Sequence, residues 1–168
     1  MRLFFALWPD DATRGALAAR LRTLHGLCGG RPTRPEAVHL TLAFLGDTDA
    51  ARLEALLAAA ASVPLRPFIL TLDQAGFWTH NKIAWVGATR SPPELDDLVT
   101  ALRRTLAENA FPFDPKPFVA HITLVRKGRP GFQLPAFAPL QWPVREFVLV
   151  RSVPTAAGSD YSICGRWG

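Results

Sequence analysis

The pattern His-x-Thr-Leu occurs twice, as His39-Leu40-Thr41-Leu42 and His121-Ile122-Thr123-Leu124, 82 residues apart. From composition alone, two of only four histidines carrying it is a coincidence on the order of one in two thousand. The repetition extends beyond the motif. LFFALW, a helical stretch and HLTLAFL in the first half correspond to IAWVGA, a helical stretch and HITLVR in the second. This period is longer than that of solenoid or propeller repeats, so it predicts a single domain, residues 1–168, of two pseudosymmetric lobes with a cleft between them.

The local signals fit that plan. Residues 2–8 read as a buried strand, and Asp10-Asp11 caps a helix whose stripe is Ala16, Leu17, Leu21 and Leu24, closed by Gly29-Gly30. Strands are expected at 38–45, 68–72, 82–87 and 119–126, with a helix at about 49–61. Ser91 reads as the cap of a further helix, with Pro92 at its first position, Glu94 three residues after the cap and Leu95, Leu98, Leu102 and Leu106 on its buried face. FPFDPKPF cannot prolong that helix, because each proline removes a donor and disfavours helix before it. Two late strands, about 144–152 and 159–166, suggest a hairpin turning at Gly158-Ser159-Asp160.

Alternation along a strand gives the motif its chemistry. His39 and Thr41 share one face while Leu40 and Leu42 share the other, and His121 and Thr123 do likewise. The apolar residues can anchor each strand while imidazole and hydroxyl look into the cleft. An imidazole titrates near neutrality and serves as acid or base, so two of them suit the opening of a cyclic phosphate. One takes a proton from water and the other gives one to the departing ribose oxygen. The Thr41 and Thr123 hydroxyls can donate to the nonbridging oxygens, and Arg126 can add charge there. Strict alternation, however, turns Arg126 away from the face of His121 and Thr123 unless the strand bends or ends there. Zinc would need a third ligand, and no Cys, Asp or Glu shares these faces, so neither metal nor other cofactor is expected.

Composition sets the bounds. With 49% hydrophobic residues the chain can bury a sizeable core, and Cys28 and Cys164 have neither CxxC nor zinc-ligand spacing. No segment resembles a secretory signal or a transmembrane helix, so a cytoplasmic protein is expected. The net charge of +5 favours an anionic partner, although biased codon usage explains an arginine-rich chain equally well. Nothing resembles a heptad seam, which points to a monomer.

The segments H39-L-T-L-A-F-L-G46 and H121-I-T-L-V-R126, with R2-L-F-F-A-L, K82-I-A-W-V-G and the late Tyr161 strand, resemble the two-histidine phosphoesterases. The resemblance is to the RNA 2′,3′-cyclic phosphodiesterase family, once called 2′-5′ RNA ligases, and it spans nearly the whole chain. It implies a bilobal α+β fold with two antiparallel sheets lining a V-shaped cleft. It implies hydrolysis of RNA 2′,3′-cyclic phosphate ends, or of cyclic nucleotides, to 2′-phosphates. His39 becomes the proton donor to the 3′ oxygen and His121 the acceptor that activates water, while Thr41, Thr123 and Arg126 map onto phosphate-binding positions. Pseudosymmetry alone does not distinguish the two histidine roles, and ligation would exchange them.

Other readings compete. His25 and His80 neither repeat nor face a threonine and read as structural; Phe5, Trp8 and Tyr161 read more readily as core than as a base-stacking surface. Arg31 and Arg34 either guide RNA or are merely solvated. A relative acting on another cyclic nucleotide or a 2′-5′ linkage, ligation included, is the alternative enzyme. A noncatalytic RNA-binding module would account for the charge but not for the repeated imidazoles.

Overall fold

The computed structural model describes all residues, Met1–Gly168. In chain order its elements are β1 (Arg2–Leu7), α1 (Asp11–Cys28), β2 (Arg31–Pro32), β3 (Leu40–Asp47), α2 (Leu53–Ala61), β4 (Phe68–Leu72), β5 (Gln74–Trp78), β6 (Ile83–Gly87), α3 (Pro93–Glu108), β7 (His121–Arg126), β8 (Leu140–Val144), β9 (Phe147–Thr155) and β10 (Gly158–Trp167). One four-stranded sheet has the order β10-β9-β1-β3 and the other β2-β7-β6-β5, while β4 and β8 form a separate ribbon. All pairings are antiparallel. The chain is thus an α+β fold in which the two motif strands, β3 and β7, lie in different sheets and pack against each other.

The termini of α1 are those expected. The Asp10 carboxylate accepts from the Thr13 amide at 2.7 Å, and Gly29 closes the helix at a φ of 62° that only glycine adopts readily. The next helices begin later than expected. A 3₁₀ turn at Ala50–Arg52 precedes α2. Ser91 does not cap α3: Pro92 is the N-cap, Pro93 the first helical residue, and the Ser91 hydroxyl donates to the Asp96 carboxylate at 2.6 Å. The final hairpin turns at Ala156-Ala157, and Gly158 already belongs to β10.

The two halves cross over in their packing. α1, which precedes the first motif, lies against β7, the strand of the second; α3, which precedes the second motif, lies against β3. A single cluster of 35 buried residues joins Leu3, Leu17 and Leu42 to Val86, Leu102 and Ile122, so both sheets and the helices share one core. No helix is long and apolar enough to cross a membrane.

Candidate active site

A bulge at the same place in each motif strand shapes the site. Thr41 and Ala43 are paired with the consecutive residues Ala6 and Phe5, leaving Leu42 as the extra residue; Thr123 and Val125 are paired with Trp85 and Ala84, leaving Leu124 as the extra residue. An extra residue breaks strict alternation. Leu42 and Ala43 are therefore both buried, as are Leu124 and Val125, and the next side chain returns to the threonine face. That side chain is Phe44 in β3 and Arg126 in β7. The bulge is the reason that Arg126 joins His121 and Thr123, where an uninterrupted strand would have turned it away.

His39, Thr41, His121, Thr123 and Arg126 together line a cavity of about 70 Å³, so all five motif residues meet in one place. Thr33, Ala37 and Tyr161 complete the wall. Thr33 and Ala37 come from the segment just before His39 and Tyr161 from the last strand; Tyr161, the only tyrosine, was visible as a strand aromatic, whereas Thr33 has no sequence signal. Thr33 locks the segment before the first motif onto the second, its amide donating to the Leu124 carbonyl at 2.8 Å and its hydroxyl to the Thr123 carbonyl at 3.2 Å. The cavity is small, of the order of a single phosphate group.

The imidazoles are held alike. His39 Nδ1 lies 2.7 Å from the Ala37 carbonyl and His121 Nδ1 lies 2.8 Å from the Val119 carbonyl. A carbonyl only accepts, so Nδ1 carries the proton in each ring and Nε2 is the nitrogen free to exchange one. His39 sits one residue before β3 begins, its ring between the faces of Phe4 (4.8 Å, 30°) and Trp8 (5.3 Å, 9°), with Tyr161 edge-on at 5.3 Å. His121 opens β7 and meets the edge of Trp78 at 4.6 Å and Trp85 at 6.4 Å. Burial among these rings pushes the His39 pKa down to about 4, and the charges of Arg126 and His121 act in the same direction. Burial also lowers His121, helped by Arg126. Both shifts favour neutral imidazoles, and an anion beside them would relieve the electrostatic part of that penalty.

No group of three or more His, Cys, Asp or Glu side chains is arranged to hold a metal ion. His25 and His80 lie outside this cavity: His25 approaches the Gly30 carbonyl near the end of α1, and His80 packs beside Trp78. Phe5 is fully buried in the core, but Trp8 and Tyr161 are partly exposed and contact His39, so these two belong to the site's surroundings.

Known proteins share this arrangement of elements and sequence. The sequence profile of the LigT-like phosphoesterases matches residues 7–85. The chain is 33% identical to an RNA 2′,3′-cyclic phosphodiesterase of Escherichia coli, over 99% of its own length and 95% of the relative's. It is 31% identical to an enzyme of the same name from Thermus thermophilus, covering 99% and 89%. Among solved structures, Escherichia coli LigT in its apo form superposes with a TM-score of 0.87 at 32% identity, covering 99% of this chain and 95% of that one. LigT complexed with 3′-AMP gives 0.86 at 32% identity, covering 99% and 96%. With sequence similarity along nearly its full length and the same fold around the paired motif strands, the chain belongs to the LigT-like phosphoesterase family.

Proposed function

We propose that this protein hydrolyses RNA 2′,3′-cyclic phosphate ends to 2′-phosphates by acid–base catalysis between His39 and His121, without a metal ion or other cofactor. One observation carries the reading: two imidazoles from different sheets, each fixed through Nδ1 to a carbonyl two residues back, line one phosphate-sized cavity with two threonines and an arginine. The names of the relatives supply the substrate class.

In the proposed reaction His121 Nε2 takes a proton from water as the oxygen attacks phosphorus. The bond from phosphorus to the 3′ oxygen breaks, and His39 Nε2 gives its proton to that oxygen, leaving a 2′-phosphate and a 3′-hydroxyl. The Thr41 and Thr123 hydroxyls and the Arg126 guanidinium hold the nonbridging oxygens, where charge rearranges in the five-coordinate transition state. Burial and then the charges of Arg126 and His121 oppose a proton on His39, so the reaction requires the substrate's negative charge to favour the protonated acid. We place the enzyme in the cytoplasm as a monomer acting on RNA ends; its two unpaired cysteines accord with a reducing compartment.

The test incubates an oligoribonucleotide bearing a 2′,3′-cyclic end with the protein in EDTA and separates 2′- from 3′-phosphate products. Wild type yields the 2′-phosphate, while His39→Ala and His121→Ala each lose about 10²-fold or more and keep the fold by circular dichroism. A cyclic substrate with sulfur replacing the 3′ oxygen separates the roles, since a thiolate leaves without an acid. It restores turnover to His39→Ala but not to His121→Ala. Full turnover by either folded variant on the natural substrate would defeat the proposal.

A further inference from the structure

Arg31 and Arg126 are direct partners in the register between β2 and β7. Like charges opposite each other on neighbouring strands destabilise the pairing. Neither guanidinium is offset: the arginines in ion pairs are Arg34, Arg66 and Arg166, and neither Arg31 nor Arg126 donates a side-chain hydrogen bond. The fold nevertheless builds this juxtaposition. Gly30, just before β2, has a φ of +80°, and a Cβ there would fall 2.4 Å from the Arg126 carbonyl oxygen, so only a glycine lets the strand approach β7 at this point.

A second cavity, about 280 Å³, opens beside the histidine pocket and is lined by Arg31, Arg34 and Arg126 with no acidic residue on its wall. It shares Thr33, Ala37, Arg126 and Tyr161 with the first, so the two adjoin. Arg34 is already held by the Asp160 carboxylate at 2.8 Å, which leaves Arg31 and Arg126 as the uncompensated charges. An anion between them would remove their mutual opposition, and two arginine forks match phosphate oxygens.

We infer that this groove is a second phosphate site, in which Arg31 and Arg126 hold the internucleotide phosphodiester next to the cyclic end of an RNA strand. The inference rests on the histidine pocket taking the cyclic phosphate. That group terminates the strand, so the phosphate beside it lies on the 5′ side. Arg126 then touches both phosphates, and Arg31 reads only the second.

The experiment measures kcat/KM for wild type and Arg31→Gln on three substrates: a 2′,3′-cyclic mononucleotide, a dinucleotide ending in the cyclic phosphate, and that dinucleotide with an uncharged methylphosphonate linkage. Wild type favours the charged dinucleotide over the uncharged one by about tenfold, and Arg31→Gln loses about tenfold more on the charged dinucleotide than on either other substrate. The inference is overturned if wild type ignores the charge of the linkage, or if Arg31→Gln loses equally on all three, as a merely structural arginine would. A wild-type protein that opens none of them removes the reading of the histidine pocket, and this inference with it.

Discussion

Two histidines separated by 82 residues acquire matching environments through one device, a carbonyl two residues upstream that fixes each Nδ1–H. The motif was legible in the sequence because composition does not repeat it by accident. The burial that depresses the imidazoles was not, since Phe4, Trp8 and Tyr161 reach His39 only through the fold. Their effect has a definite sign. His39 titrates near 6.5 when unfolded and about 4 when folded, so across that interval the unfolded chain binds a proton that the native state refuses. Stability is full above the unfolded value and falls as pH drops toward the folded one, and His121 contributes in the same direction. Urea midpoints at pH 7 and 4.5 should show wild type losing stability, and His39→Gln losing roughly 1 to 2 kcal/mol less. Equal losses would mean that His39 is not held neutral.

At the scale of elements, β3 and β7 were foreseen within a residue or two, but their matching bulges were not. A bulge leaves the residue types unchanged and shows only in the pairing, as where Thr123 and Val125 meet Trp85 and Ala84. That is why alternation alone misplaced Arg126. Other elements escaped for local reasons: β2 is two residues long, β5 contains Gly76, and β8 contains Pro143, which has no amide to give a ladder. Gly76 has its own tertiary reason, since a Cβ there would come within 2.1 Å of the Trp85 ring. Gly87 is the partner of His121 in the ladder, and a Cβ on it would stand 2.6 Å from the Ala120 carbonyl. Gly87→Ala should force β6 and β7 apart beside the histidine, costing about 1 to 3 kcal/mol and lowering kcat about tenfold. Chemical denaturation and steady-state kinetics measure both; unchanged values would show that β7 yields freely at this point.

For the whole molecule, the repeat in sequence predicted two lobes and a cleft, while the exchange of helices between halves lay beyond it. Stripes on α1 and α3 say that these helices are buried, not which strand they cover, and each covers the strand of the opposite half. With one core running through both sheets, neither half keeps its packing alone. Leu98 is 1% exposed on α3, so Leu98→Ala should cost about 2 to 5 kcal/mol. The loss should appear as one shifted transition, with amide exchange accelerated in β1 and β3 as much as in β6 and β7. Two separate transitions would show that the halves unfold independently.

The crossed helices also bear on how substrate is admitted. Because each of these helices packs on the strand of the other half, moving the two motif strands apart would disturb the core that both halves share. On the proposed reaction, the cost of fitting would then fall on the RNA and not on the cleft. On that reaction, a cyclic end that is single-stranded should be opened faster than one held in a duplex.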